Sequence, residues 1–448
     1  MTTGSFLGWL IAVGVACVGC TQGASTEESV ADQDDEFQAA GVDGWWEFGR
    51  TPRHNGYNPN ETTIGTGNVA SLHELWHVDL PLSSAYYYRR ISASFGKLFV
   101  TGNTIVKVDA GSGQVEHIFS AISTDTYRGY ATITDRHVFV DSDSGFYRTD
   151  EATLTERVTF GPNDPQGTRR GQLSPYRLVL FSSTIEWPDD FGESTPEERF
   201  LRHSTLSAHA QSYGYDGGVL WKNDYPHPWL TTPALSNGRA IVGFGDHVEA
   251  RNWFSGSPLW TAPIGDPINN DLEPRTVGDP IVSHGRVFVC RAGVLYALDE
   301  RSGAQLWTAP CGDSARAADA ERVVFSFSRC EIKTFCEWGD EGEVCAPRNV
   351  CTPGIGIVAY DASTGEELYK EPFASTTSQR MSTEELVIAN GVVYYGTRSG
   401  LLVARDASTG ALLAEFAVGS QTDVVVHVIV VSGRVFVATQ SKLIALGF

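Results

Sequence analysis

The sequence contains 448 residues, enough for one large repeat domain or three ordinary domains. Its 33 Lys and Arg residues against 54 Asp and Glu residues give a formal net charge of −21, which disfavours binding to the phosphate backbone of nucleic acids. Hydrophobic residues make up 42% of the chain, and 46 Gly residues beside only 2 Met residues favour turn-rich β structure over a helical core.

Residues 1–20 are expected to form an export signal. The stretch "FLGWLIAVGVACVGC" is apolar and too short for a comfortable transmembrane helix. The small Gly19 before Cys20 resembles a bacterial lipoprotein signal, which implies a lipid on Cys20 as the chain's attachment to a membrane. The alternative is an ordinary cleaved signal peptide. Residues 21–43 are rich in Ser, Asp and Glu without periodic apolar positions, so we expect a disordered tether.

The rest of the chain, residues 44–448, is a repeat of short strands in which β-branched and aromatic residues alternate. "ALDERSGAQLWTAP" at residues 297–310 is the clearest copy. Aligning the copies on the Asp of "ALD" gives eight anchors: Asp109, Asp150, His209, Arg251, Asp299, Asp361, Asp406 and Gly447. A spacing of roughly 40 to 50 residues, filled with strands, is typical of a β-propeller. The sequence therefore predicts an all-β fold, an eight-bladed propeller of four-stranded antiparallel blades.

The last predicted blade lacks its fourth strand, because the sequence ends one residue after Gly447. "HELWHVDLP" at residues 73–81 has the same apolar-Trp form as "AQLWTAP", so we expect this N-terminal strand to close the last blade and remove two open sheet edges. Trp221, Trp260 and Trp307 recur on fourth strands, where they are expected to pack between neighbouring blades.

The repeat "ALDxxTGxxLW" resembles that of the pyrroloquinoline-quinone (PQQ) propeller family, and "WWEFGRTPRHNGYNPNETTIGTGNVASLHELW" at residues 45–76 is similar to the N-terminal opening of that family. The resemblance implies the fold but leaves the function open. The family includes quinoprotein alcohol dehydrogenases and also cofactor-free scaffold lipoproteins of the BamB type.

The dehydrogenase alternative implies PQQ, a Ca²⁺ ion and an Asp base, with a pair of adjacent cysteines over the quinone. This sequence has no Cys-Cys dipeptide and no segment that matches the Ca²⁺ ligands. No GxSxG, HExxH or P-loop pattern occurs either. We therefore expect no cofactor, no catalytic residues and no metal site, with PQQ and Ca²⁺ required only under the alternative.

The repeat is interrupted by two insertions, at about residues 183–203 and 329–351. Both follow a second strand, so both are expected to leave from the same face of the ring. Each is acidic and contains Trp, and loops on rigid scaffolds commonly carry binding function. The predicted partner-binding residues are Trp187, Asp189, Asp190, Trp338, Asp340 and Glu341.

The remaining six cysteines are even in number and belong to an exported chain, which favours disulfides over a metal site. They are Cys290, Cys311, Cys330, Cys336, Cys345 and Cys351. We expect up to three bridges, which tie the second insertion down and join it to the fifth blade in one arrangement.

These features predict a non-enzymatic envelope propeller, in the periplasm or on the outer membrane or cell surface. It is expected to be a monomer that binds a protein or glycan through the loops of one face. A quinoprotein alcohol dehydrogenase is the first alternative, and a secreted carbohydrate-active propeller is the second.

Overall fold

The computed structural model describes residues 44–45, 49–80, 89–102, 104–120, 127–133, 137–142, 145–150, 154, 158–160, 168–174, 177–184, 207–213, 219–225, 231–265, 278–291, 293–311, 316–339, 342–373, 380–383 and 385–448. This part of the chain is all β, and a short 3₁₀ turn at Val69–Ser71 is its only helical element. The predicted signal and tether, the predicted lipidation site Cys20 and most of the first insertion lie outside the described residues.

The described strands form eight sheets, numbered here in chain order. Two strands precede the first sheet: β1 (Tyr57–Asn58) and β2 (His73–Asp79). Sheets 1 and 2 comprise β3 (Arg90–Ser94), β4 (Lys97–Thr101), β5 (Thr104–Asp109) and β6 (Val115–Ser120), then β7 (Tyr127–Ile133), β8 (His137–Ser142), β9 (Gly145–Asp150) and β10 (Val158–Phe160). Sheets 3 and 4 comprise β11 (Thr168–Ser174), β12 (Arg177–Thr184), β13 (Ser207–Tyr213) and β14 (Val219–Tyr225), then β15 (Ala234–Ser236), β16 (Arg239–Gly243), β17 (His247–Asn252) and β18 (Pro258–Pro263).

The second half of the chain continues the same pattern. Sheets 5 and 6 comprise β19 (Ile281–Ser283), β20 (Arg286–Arg291), β21 (Val294–Asp299) and β22 (Gln305–Pro310), then β23 (Arg316–Ala318), β24 (Arg322–Gly339), β25 (Gly342–Asp361) and β26 (Glu367–Pro372). Sheets 7 and 8 comprise β27 (Val387–Ala389), β28 (Val392–Gly396), β29 (Leu401–Asp406) and β30 (Leu412–Ala417), then β31 (Val425–Val431), β32 (Arg434–Thr439) and β33 (Lys442–Gly447).

The sheets are arranged as in a β-propeller. The first strands of sheets 4 to 8 and of sheet 1 are buried along their whole length. First strands contact one another from sheet 3 through sheet 8, from sheet 8 to sheet 1 and from sheet 1 to sheet 2, and β11 of sheet 3 contacts β8 of sheet 2. The fourth strands are exposed at alternate residues, as in "PLWTAP" of β18. The first strand of each sheet is therefore the inner strand, and the fourth is the outer strand.

The N-terminal strand completes sheet 8, as the sequence predicts. β2 pairs antiparallel with β33, and His73 lies opposite Gly447 at one end of the register. Sheet 7 differs from the prediction, because β1 adds a fifth strand that pairs in parallel with β27. β1 has only two residues, too few to show a periodic pattern.

A recurring turn joins the third strand of a sheet to its outer strand. The Oδ1 atom of Asp299 accepts hydrogen bonds from the backbone N–H groups of Arg301 and Ser302 and from the Ser302 hydroxyl. Gly303 then takes a positive φ of 71°, which costs a glycine little. The same arrangement occurs at Asp109, Asp361 and Asp406. The predicted anchor His209 lies within β13 instead of at its end, because this turn sequence is missing from sheet 3.

On five of the described outer strands, an aromatic ring packs on the glycine of the next sheet's turn. A Cβ atom added to Gly303 of sheet 5 would lie 2.5 Å from Cε3 of Trp260, which belongs to sheet 4. The indole nitrogen of Trp260 also donates to the carbonyl of Glu300 at 2.9 Å. The corresponding pairs are Trp76 on Gly113, Trp221 on Gly256, Trp307 on Gly365 and Tyr369 on Gly410. This confirms that the repeated tryptophans pack between neighbouring sheets.

The second insertion is a long β-hairpin. β24 and β25 pair in antiparallel register from Arg322 opposite Asp361 to Gly339 opposite Gly342. The rest of sheet 6 is much shorter, because β23 pairs with β24 only as far as residue 325 and β26 pairs with β25 only from residue 356. Residues 329–339 and 342–352 therefore form a two-stranded extension, which we call the sheet-6 hairpin.

Candidate functional site

The connections between strands divide the propeller into two faces. Because the strands alternate in direction, the link from the second to the third strand leaves from the same face as the link from the outer strand to the next sheet. We call this the hairpin face, since the sheet-6 hairpin projects from it. The opposite face carries the links from the first to the second strand and the Asp-Gly turns, and we call it the turn face.

The predicted partner-binding residues belong to the two insertions. Trp338 lies near the tip of the sheet-6 hairpin, opposite Glu343 in the register. Trp187, Asp189, Asp190, Asp340 and Glu341 lie outside the described residues, so their predicted role remains a prediction.

The sheet-6 hairpin extends far beyond its sheet. Twelve residues separate Phe327, the last residue of β24 opposite the three-stranded part, from Gly339 at the tip. At about 3.4 Å per residue this corresponds to roughly 40 Å of strand. A two-stranded hairpin without a third strand is only marginally stable by itself. Among the described strands, none pairs with this extension as a third strand.

A disulfide lies on the same face, in the neighbouring sheet 5. Cys290 near the end of β20 is bonded to Cys311, which follows the outer strand β22, and their Cα atoms are 5.8 Å apart. Their shared location agrees with the predicted face. The bond stays within sheet 5, however, so the expectation that a bridge joins the hairpin to sheet 5 is wrong for these two residues. The ends of β20 and β22 lie close together on this face, so the two cysteines bond to each other.

Polar groups at the starts of the inner strands connect adjacent sheets on the hairpin face. The backbone N–H of Thr232 in sheet 4 donates to Oδ1 of Asp279 in sheet 5 at 2.7 Å. A Cβ added to Gly278 of sheet 5 would lie 2.8 Å from the guanidinium of Arg316 in sheet 6. These contacts join sheets 4, 5 and 6 in sequence.

A buried His-Glu pair connects sheets 7, 8 and 1 in the same way. The Nε2 atom of His427 lies 3.6 Å from Oε2 of Glu385, and both side chains are buried. The Nδ1 atom of His427 accepts a hydrogen bond from the backbone N–H of Ile91 at 3.2 Å. Because Nδ1 is an acceptor, the proton of the neutral ring resides on Nε2, facing the carboxylate. This pair serves as a link between three sheets.

Cationic groups are also buried near these strand starts. Arg89 and Arg90 begin sheet 1 and are each 5% exposed. Burial lowers the pKa of the Arg89 guanidinium below its ordinary value, against the opposing effect of the Asp423 carboxylate. The hairpin face therefore combines buried polar contacts between neighbouring sheets and a long projecting arm.

The turn face is crossed by the N-terminal segment, which the sequence pattern did not predict. The carbonyls of Pro52, Arg53, Asn55 and Gly56 accept hydrogen bonds, in that order, from inner-strand N–H groups of sheets 4, 5, 6 and 7. The side-chain amide of Asn58 donates to the carbonyl of Val430 in sheet 8, also on an inner strand. This segment joins five successive sheets from the centre of the ring.

Burial changes the acid-base behaviour of the groups that surround this segment. Desolvation raises the pKa of the Asp319 carboxyl above its ordinary value, although Arg322 lies 3.3 Å away and opposes the shift. Desolvation likewise raises the pKa of the Tyr57 phenol, with a further contribution from Asp319. In both groups, burial shifts the equilibrium towards the uncharged form relative to water.

Within the described ranges, no three His, Cys, Asp or Glu side chains lie close enough together to hold a metal ion. The sequence also has no adjacent cysteine pair. No helix in the described part of the chain is long and apolar enough to span a membrane.

The profile of one protein family matches two segments that together make up more than half of the chain. The family is described as "Outer membrane protein assembly factor BamB", and the match covers residues 202–346 and 354–446. Among curated proteins, none matches the sequence.

Solved structures with a similar fold include an assembly factor and quinoprotein-type dehydrogenases. BamB from Moraxella catarrhalis has a TM-score of 0.58 at 14% identity, covering 84% of this chain and 100% of that chain. Quinohemoprotein alcohol dehydrogenase from Comamonas testosteroni has a TM-score of 0.64 at 12% identity, covering 90% of this chain and 80% of that chain. A europium-containing methanol dehydrogenase has a TM-score of 0.61 at 10% identity, covering 91% and 98%. At these identities the likeness shows the fold alone.

Proposed function

The chain belongs to the family described as the outer membrane protein assembly factor BamB, and we propose on that premise that it is a non-enzymatic scaffold of the cell envelope. It binds a partner protein through its hairpin face. The observation that carries this proposal is the sheet-6 hairpin, whose two strands are paired to the tip although no other strand supports them.

The length of the hairpin supports a binding role over a structural one. Ordering a two-stranded extension costs conformational entropy, and no third described strand adds to its stability. Its outer edges carry unpaired backbone groups, which a partner strand or loop can satisfy. The arm is preformed, so a partner does not have to supply the full cost of ordering it.

The rigid base of the arm is a closed ring, which we propose to have eight blades, one for each described sheet. The contacts of the inner strands run from sheet to sheet and return from sheet 8 to sheet 1. The strand β2 closes sheet 8 from the N-terminal side, so no blade depends on a second copy of the chain. A monomer is the corresponding state in solution.

The location follows from the same proposal. An outer-membrane assembly factor acts in the envelope, and the lipoprotein-like sequence ending at Cys20 provides an anchor. Residues 21–43 would then separate the ring from the membrane surface. No cofactor is required for this function.

Site-specific photo-cross-linking tests the proposal. A photoreactive amino acid is placed at Trp338 in the cells that express the chain, and a matched variant carries it at Leu306, an exposed position on the outer strand of sheet 5. We expect a discrete protein adduct from position 338 and none from position 306. Equal adducts from the two positions, or none from position 338, would remove the support for a binding arm.

A second variant separates binding from folding. Replacing residues 329–352 with a short Gly-containing turn leaves every other sheet pairing intact, so we expect a retained cooperative thermal transition and loss of the partner from the purified complex. Retention of the partner by this variant would place the binding surface elsewhere.

A further inference from the structure

The register of the sheet-6 hairpin places four cysteines in two facing pairs. Cys330 lies directly opposite Cys351, and Cys336 lies directly opposite Cys345. The register is continuous between the two pairs, since the one irregularity of this ladder lies between Phe327 and Arg329.

The two pairs occupy equivalent positions in the ladder. Six residues separate them on each strand, and an even number of residues returns to the same face of a strand. In an antiparallel ladder, facing Cα atoms are about 4.5 or 5.5 Å apart, depending on the type of pair. Both values lie within the range of about 4.4 to 6.8 Å found across disulfides.

We propose that the sheet-6 hairpin is cross-linked by two disulfide bonds, Cys330–Cys351 and Cys336–Cys345. For each bond, two thiols lose two protons and two electrons while one S–S bond forms. The electrons pass by thiol-disulfide exchange to an oxidised disulfide of the envelope, such as that of a dithiol oxidoreductase, which is reduced to its dithiol.

The other pairings of these four cysteines require the hairpin to come apart. Cys330 and Cys336 are six residues apart along one strand, and the same holds for Cys345 and Cys351. Six residues of extended strand span about 20 Å, far beyond the reach of a disulfide. Cys290 and Cys311 are already bonded to each other, so neither is a partner for the hairpin.

The cross-links account for an arm of this length. No third described strand pairs with the hairpin beyond the three-stranded part of sheet 6, and two bridges at separate positions along it compensate for that. The arm would then be a covalent ladder projecting from the hairpin face. This inference rests on the backbone register alone and stands whether or not the proposed binding function is correct.

Tryptic mapping distinguishes the pairings, because cleavage sites fall between the cysteines. Trypsin cuts after Arg329, Lys333, Arg348 and Lys370, which gives peptides 330–333, 334–348 and 349–370. The full chain is purified without reductant and alkylated before digestion. We expect peptide 330–333 joined to peptide 349–370, and peptide 334–348 as a separate species closed by its own disulfide.

Every other result overturns the proposal. Both alternative pairings would join all three peptides into one species, and alkylated cysteines would show free thiols. Peptide 334–348 is then cut by a Glu-specific protease between its two cysteines, within residues 337–343. We expect the two cysteine-containing fragments to separate only after reduction of the disulfide that joins them.

Single substitutions provide an independent readout. In Cys336→Ser, we expect one alkylated thiol, at Cys345, with the bond between Cys330 and Cys351 retained. In the matched control Cys290→Ser, the free thiol is Cys311 and both hairpin bonds remain. A Cys336→Ser variant in which Cys345 bonds to another cysteine would show that the register does not determine the pairing.

Discussion

Packing of an outer-strand tryptophan on the next sheet's turn glycine should make Gly303→Ala strongly destabilising. The residue has φ +71°, and the left-handed conformation costs a non-glycine residue about 1–2 kcal/mol. The new Cβ would also lie 2.5 Å from Cε3 of Trp260, and overpacking of this kind costs about 1–3 kcal/mol. Together the two effects predict a loss of about 2–5 kcal/mol in the free energy of unfolding.

Gly285→Ala is the matched control for backbone strain. Gly285 has φ +78°, yet its added Cβ would meet no atom within 4 Å. Its loss should therefore be about 1–2 kcal/mol, from the backbone alone. Equilibrium urea unfolding of both variants measures the difference. Equal losses would refute the packing argument.

A double variant tests the contact directly. Trp260→Leu removes the ring that the new Cβ meets, so Gly303→Ala should cost less in that background than in the wild-type chain. Additive losses would show that the two residues are not coupled.

Three further outcomes are expected. Deleting residues 45–81 should cause aggregation or loss of the cooperative unfolding transition. The deletion removes both the strand paired with β33 and the segment that joins the inner strands. A truncated protein that is soluble and melts cooperatively would contradict this. Burial raises the pKa of Tyr360 and Tyr395 to about 12, above the ordinary 10.0. Their stabilising contribution is therefore complete below pH 10.0 and is lost as the pH rises towards 12. Over this interval, the native protein should form phenolate, measured by absorbance, at higher pH than the denatured protein, and coincident titrations would contradict the prediction. Replacing Cys20 with Ser should release the protein from membranes and abolish the lipid mass, whereas a wild-type chain that is already free of membranes would reject the anchor.

The repeat predicted the sheets because its signals are local. Each unit has its own alternation of apolar and polar residues and its own turn, as at Asp299 and Gly303. The apolar-Trp form of "HELWHVDLP" likewise predicted β2 as an outer strand, which its pairing with β33 confirms. The pairing of β2 with β33 is distant in sequence, but it was recoverable because sheet 8 lacked one strand. The end of β13 was misplaced by four residues at His209, where the turn signal is missing.

The crossing of the turn face could not be read from the sequence. "RTPRHNGYN" has no alternation of apolar and polar residues. Its carbonyls accept hydrogen bonds from inner strands that are distant in sequence. The second insertion was expected to be a loop, although its cysteines carry a hairpin signal. Both facing pairs are spaced equally about the pair Gly339 and Gly342, which is the spacing that cross-strand cysteines require.

A binding scaffold and a quinoprotein enzyme share this fold, and one titration distinguishes them most directly. The purified full chain is mixed with PQQ and Ca²⁺, the bound chromophore is followed by absorbance, and dye-linked oxidation of alcohols is measured in the same samples. If the chain is a scaffold, we expect no saturable quinone binding and no turnover above a protein-free control. Saturable binding accompanied by turnover would contradict the proposal that the chain is a scaffold.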